Sequence, residues 1–194
     1  MNRLLFLIFS TTLLANVSAE ELSDIQITSP VMDKATISNE AIEEVDSRNA
    51  VDGGDLLKNI NRYVDDILIK ETKSLENSST KDMLFEVLMK RFDILQKNRQ
   101  SYIEIYKAFK KTPQYFIKLL PSFLESMIVT AELANFNVNG LKGSVRLKGL
   151  IFIYFSTFFQ WLDDKNSSLE KTMAELDKNL NQAEKFGKLL SWII

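Results

Sequence analysis

Apolar positions recur every three or four residues from about residue 56 to the end of the chain. With this spacing, side chains return to one face of an α-helix, so the pattern predicts an all-α protein. A first helix is predicted to end near Thr72 and a third near Thr112. Between them, a second helix is predicted over residues 81–98, with Thr80 as its N-cap.

Two strongly apolar segments follow these helices. Residues 115–136 are interrupted by Pro121, and because proline removes one backbone hydrogen bond and clashes with the preceding turn, a kinked helix is predicted there. Residues 149–159 (GLIFIYFSTFF) are apolar on every side, which predicts that this stretch is helical and buried all round, within a central helix over residues 141–164. The apolar stretch is shorter than the roughly 20 residues that cross a bilayer.

The last predicted helix spans residues 166–190 and begins with a capping box, in which Ser167 caps and Glu170 reaches back. Its apolar residues alternate at spacings of four and three, as in a two-stranded seam. Two interpretations are open: the seam packs in the core of its own chain, or it is a dimer interface shared with a second subunit. The seam consists of Leu169, Met173, Leu176 and Leu180.

The gap between the kinked helix and the central helix is the predicted binding site. A kinked helix cannot pack flush against a straight one, and a lasting gap implies a ligand or a mobile side chain because interiors tolerate few voids. We expect a cavity on the order of several hundred Å³, in which aromatic rings and methionine suit a flexible apolar guest. The alternative is a filled core in a purely structural protein. The predicted ligand-binding residues are Phe116, Leu120, Phe123, Met127, Phe152, Phe155 and Phe159.

The N-terminal residues have the features of a secretory signal. Arg3 precedes an apolar run over residues 4–14, and Val17 and Ala19 are small residues before a cleavage point. The pattern predicts cleavage after Ala19 and export to the periplasm. The alternative is an apolar first helix packed in the core of a cytoplasmic protein.

Residues 20–54 are predicted to form an acidic, poorly ordered arm, and residues 55–194 the helical domain. Up to Asp55 the arm holds ten acidic residues against two basic ones and has no aromatic residue. Its charge of about −8 would repel a phosphate backbone, so no nucleic acid partner is expected.

The composition excludes several classes of chemistry. The 194 residues include no cysteine and no histidine, so Ser-His-Asp catalysis, Cys-His catalysis and the usual zinc sites are absent. Asp65-Asp66 and Asp163-Asp164 are pairs of neighbours that point about 100° apart on a helix, and we interpret them as solvated or helix-end groups. We predict no catalytic residue, no metal ligand and no cofactor, and therefore a binding protein rather than an enzyme.

Two parts of the chain, residues 82–99 and 143–180, resemble a known family. They are similar to the ligand-binding domain of TetR-type proteins, in the alphaproteobacterial branch close to the lipid-binding accessory proteins of ubiquinone biosynthesis. The similarity covers roughly residues 54–186. The motifs that carry it are LFEVLM at 84–89, RFD at 91–93, RLKGL at 146–150, WLDD at 161–164 and LEKTMA at 169–174.

The resemblance implies a helical bundle of the TetR C-terminal type, with a homodimer built from the helices over 141–164 and 167–190. It also implies an isoprenoid or other lipid in the helical core, and peripheral membrane contact through the tail Phe186–Ile194. Such regulators begin with a basic helix-turn-helix, and the signal and the acidic arm occupy that place here. The second functional hypothesis is therefore a transcriptional regulator with a degenerate or missing helix-turn-helix.

Overall fold

The computed structural model describes residues 53–72 and 78–191, and these residues form six α-helices with no β-strand among them. The predicted all-α class is confirmed. The predicted signal and most of the acidic arm lie outside the described residues. The helices are α1 (Gly53–Thr72), α2 (Thr80–Lys97), α3 (Arg99–Lys111), α4 (Pro113–Leu133), α5 (Gly140–Asp163) and α6 (Glu170–Ser191).

The helices pack around a single hydrophobic core. Helix α1 lies along α4, α5 lies along α6, and α2 contacts α1, α4 and α6. Helix α1 begins at Gly53, so Gly53 and Gly54, the last two residues of the predicted arm, belong to its first turn. Among the described residues, no helix is both long and apolar enough to span a bilayer.

Helix α2 begins one residue earlier than predicted, and its N-cap is Ser79 rather than Thr80. Ser79 has an extended backbone, and its hydroxyl oxygen accepts a hydrogen bond from the backbone N–H of Asp82 at 3.2 Å. An N-cap must have this non-helical backbone while its side chain reaches the first turn. Thr80 follows as the first helical residue.

The predicted capping box at the start of α6 is absent, because the helix begins only at Glu170. Leu169, just before it, has a left-handed backbone with φ of 54°. The carboxylate of Asp164 supplies the cap: it accepts hydrogen bonds from the backbone N–H and the hydroxyl of Thr172, both at 2.9 Å. Asp164 therefore has the predicted helix-end role, although it is fully buried rather than solvated.

The hydrogen bonds at this cap also set the acidity of Asp164. Burial alone would raise the pKa of its carboxyl group. The hydrogen bonds from Thr172, Asn166 and Lys171 outweigh burial, and the pKa is lower than the ordinary value. The carboxylate thus stays ionised where it caps α6.

Helix α4 continues through Pro121 without a break, so the predicted interruption does not end the helix. Pro121 is exposed, and Ile117, whose carbonyl the proline leaves without its helical partner, is exposed as well. A carbonyl on this side of the helix can bond to water instead. The residues that α4 turns inward include Phe116, Leu120, Phe123 and Met127, and all four are buried.

Gly143 permits the close approach between α5 and the loop that precedes it. A Cβ atom at this position would clash with the backbone carbonyl carbon and oxygen of Val138. Only a residue without a side chain fits, and this contact holds the first turn of α5 against the chain that enters it.

Candidate functional site

A cavity of about 90 Å³ lies between helices α1 to α5. Together with its mouth, which is open to solvent, the space between its walls is about 690 Å³. The enclosed part is smaller than the predicted volume. Five of the side chains that line the cavity are half-buried, and these are Asn61, Tyr102, Ile105, Tyr106 and Phe158.

Three of the seven predicted ligand-binding residues line this cavity: Phe116, Phe123 and Phe155. Their rings are in mutual contact, with centroids 6.0 Å apart between Phe116 and Phe155 and 5.0 Å apart between Phe123 and Phe155. Leu120 and Met127 are buried in the core away from the cavity lining. The interdigitated rings form a wall of large apolar area.

Phe159 and Phe152 were predicted to share the pocket, but neither lines it, and Phe152 is 50% exposed. The two residues are seven positions apart and therefore lie on the same side of α5. At the level of Phe159 that side is covered by Tyr106 of α3, whose ring centroid is 6.2 Å away. No such cover reaches Phe152, so Phe152 lies at the surface, and like Phe159, Leu120 and Met127 it does not line the cavity.

One charged residue, Arg91, lies among the apolar residues that line the cavity. Its side chain is only 2% exposed and forms an ion pair with Asp65, with 2.7 Å between Nη1 and Oδ1. Its Nη2 donates to the hydroxyl of Ser126 at 2.6 Å, and that hydroxyl in turn donates to Asp65 at 2.5 Å. Asp65 is thus a partner in a buried network, not the solvated group that was expected.

Burial and nearby charged groups set the protonation states of Arg91 and of two tyrosine hydroxyls near it. Burial, the largest single effect, would lower the pKa of Arg91, but the electrostatic interactions with Asp65 and Tyr154 and their hydrogen bonds with the guanidinium together outweigh burial, and the pKa is raised. Burial raises the pKa of Tyr154 and, strongly, that of Tyr102. The guanidinium therefore stays charged, and both phenols keep their protons near neutral pH.

Hydrogen bonding leaves one atom of Arg91 unused. In the part of the chain that the structure describes, Arg91 Nε is the one buried side-chain nitrogen or oxygen without a hydrogen-bond partner. The guanidinium carbon also lies 5.6 Å from the centre of the Tyr154 ring. The described lining of the cavity is therefore mostly apolar, with Arg91 as its one cationic donor.

Sequence reasoning missed Arg91 as a site residue, although a signal was present. In the apolar stripe of α2, Arg91 falls between Leu88 and Leu95 at the spacing of a core position. A charged residue within such a stripe is buried only when it is paired. Its partner Asp65 belongs to another helix, and only the tertiary structure brings the two together.

No protein-family model matches the chain, and no curated protein matches it significantly in sequence. The resemblance to TetR-type ligand-binding domains therefore stays a prediction. Among the described residues, no group of three or more acidic side chains is placed to hold a metal ion.

The predicted dimer seam is divided between the core and the surface. Leu169, Leu176 and Leu180 are buried within the single chain, whereas Met173 is 42% exposed. The three leucines thus present no free surface to a second subunit, and their burial agrees with the core-packing interpretation. Exposed apolar residues lie instead on α5, where Leu141 is 78% and Val145 is 61% exposed.

Proposed function

We propose that the protein is a non-enzymatic helical binding protein that holds the apolar part of a lipid or isoprenoid-like molecule. The observation that supports it is the cavity of about 90 Å³, whose aromatic wall is formed by Phe116, Phe123 and Phe155. Apolar clefts with few polar groups are the usual small-molecule sites of proteins.

The size of the cavity sets which part of a ligand it can enclose. A volume of about 90 Å³ takes a short apolar segment, and the open mouth leaves room for a longer chain to pass toward solvent. At about 0.8 kcal/mol per buried CH₂ group, five enclosed methylenes contribute roughly 4 kcal/mol before the costs of binding. We infer that the pocket encloses one end of an extended ligand.

Filling the cavity tests this function, with two matched substitutions on the same helix. Phe155→Trp adds bulk to a residue that lines the cavity, whereas Phe152→Trp adds the same bulk at an exposed position. We expect the first variant to bind a fluorescent apolar probe at least about tenfold more weakly than wild type, because the added ring removes the volume that the guest needs. The second should bind as wild type does.

The same pair of variants identifies the structural alternative. In a filled core, Phe155→Trp loses about 1–3 kcal/mol of unfolding free energy through overpacking. The binding function would be contradicted by that loss together with two results for the wild type. These are that it takes up no apolar probe and that it carries no lipid in native mass spectrometry.

We further propose that the protein is a homodimer that meets its second copy along the exposed side of α5. Leu141, Val145 and Phe152 are spaced by four and seven residues, so they share one face of the helix. Contiguous exposed apolar residues are typical of interaction surfaces.

Export with cleavage after Ala19 is likewise a proposal, and N-terminal sequencing of the native protein should then begin at Glu20.

A further inference from the structure

The unused donor of Arg91 bears on the chemistry of the ligand. A guanidinium has five N–H groups, and those of Nη1 and Nη2 are directed to Asp65, Thr130 and Ser126. The Nε–H has no partner, although Arg91 is almost fully buried and lines the cavity. A buried donor without a partner is unfavourable, and an acceptor atom on a bound ligand would satisfy it.

The charge balance of the cavity decides which kind of acceptor fits. Among the described residues that line the cavity, Arg91 is the one that carries a charge, and Asp65, at 2.7 Å, already neutralises it. A ligand carboxylate would bring a second negative charge into this buried pair, without a second cation to balance it. A neutral acceptor oxygen accepts the hydrogen bond and leaves the pair balanced.

We propose that the ligand is an apolar molecule with a neutral oxygen acceptor, such as a ketone, ester or ether oxygen, that accepts the Nε–H of Arg91. This inference rests on the proposed binding function and adds the polar group of its ligand. The apolar portion of the ligand lies against Phe116, Phe123 and Phe155, and the oxygen lies at the wall formed by Arg91 and Tyr154.

Three probes with chains of equal length distinguish the chemistry of the acceptor on the wild-type protein. They are n-decane, methyl octyl ketone and decanoate, and each is measured by its displacement of the same fluorescent apolar probe. In a wholly apolar pocket the ketone would bind more weakly than the alkane, because it gives up a hydrogen bond to water. We expect the reverse, with the ketone binding roughly tenfold more tightly than the alkane, and decanoate binding more weakly than the ketone.

A direct readout comes from the side-chain Nε–Hε resonance of Arg91 in a heteronuclear NMR spectrum. Methyl octyl ketone should shift this resonance to a hydrogen-bonded position, and n-decane should not. A purely structural role of Arg91 predicts no difference between the two probes.

Two conservative variants separate the donor from the charge. Arg91→Lys keeps a cation for Asp65 but loses the Nε–H donor, so the preference for ketone over alkane should disappear while alkane binding remains. Arg99→Lys is the control, because Arg99 lies over the ring of Trp161 at 4.6 Å and does not line the cavity. It should keep the wild-type preference. If Arg91→Lys does not fold, the wild-type probe series and the NMR spectrum test whether the ligand has a neutral acceptor.

The outcomes for this inference and for the binding function are distinct. Alkane binding without a ketone preference or an Nε shift would overturn the neutral acceptor and leave the binding function standing. Tightest binding of decanoate would overturn the argument from charge balance. A wild-type protein that takes up neither the fluorescent probe nor any of the three compounds would contradict the binding function itself.

Discussion

Replacing Arg91 with methionine is the sharpest test of the buried network that connects α1, α2 and α4. Methionine keeps much of the apolar volume but removes the cation that pairs with Asp65. Asp65 is 13% exposed and would retain only the hydroxyl of Ser126, at 2.5 Å, as a hydrogen-bond donor. Because the variant leaves a largely buried carboxylate unpaired, we expect the free energy of unfolding to fall by about 3–5 kcal/mol.

Two further variants serve as comparisons for this loss of unfolding free energy. Lys97→Met breaks the ion pair of Lys97 with Glu71, in which the atoms are 3.4 Å apart and both side chains are exposed, and should cost at most about 1 kcal/mol. The double variant Arg91→Met with Asp65→Leu removes both buried charges. It should be more stable than Arg91→Met alone, because no unpaired charge remains.

The assay is urea unfolding of the full chain at neutral pH, followed by far-ultraviolet circular dichroism. An unchanged slope with urea concentration would show that the variants change stability and not the extent of unfolding. An Arg91→Met variant within about 1 kcal/mol of wild type would refute the reasoning, since it would mean that Asp65 tolerates the loss of its partner.

Two other predictions follow from the cap of α6 and from the exposed side of α5. Asp164→Ala should cost about 0.5–2 kcal/mol in unfolding free energy near neutral pH. Because the folded-state pKa of Asp164 is lowered, its contribution is present above the unfolded-state pKa and is lost as the pH falls through the folded-state pKa. Unfolding experiments over an acidic pH series should show this difference shrinking, and a constant difference would contradict the account. Val145→Asp should yield a folded monomer in analytical ultracentrifugation, whereas Leu176→Asp should lose the fold, because Leu176 is fully buried. A wild type that is monomeric at tens of micromolar would contradict the homodimer.

The helices and their inward faces were predictable because both depend on local spacing. A helical hydrogen bond joins residues only four positions apart, so the periodicity of a short segment determines its conformation. Helix α2 was predicted over residues 81–98 and spans Thr80–Lys97. On α4, Phe116, Leu120, Phe123 and Met127 are all buried, as their spacing predicts. For these features no knowledge of the neighbouring helices was needed.

Which side chains line the cavity depended on contacts between helices. Periodicity assigns a side chain to a side of its helix, but it does not say whether a neighbouring helix covers that side at that level. Phe152 and Phe159 share a side of α5, and only Phe159 is covered by α3. For the same reason, the local pattern could not decide whether Leu176 faced the core or a second subunit.

The buried charges show most clearly that a local sequence pattern does not reveal contacts between helices. Asp65 and Arg91 are 26 residues apart, on α1 and α2, and neither residue by itself indicates a partner. Their pairing, the cavity beside them and the unused Nε–H arise from how five helices pack around one space. The sequence by itself determined which segments are helical and which faces are apolar. The tertiary packing decided which apolar faces meet, where they leave a gap, and which charge lies beside it.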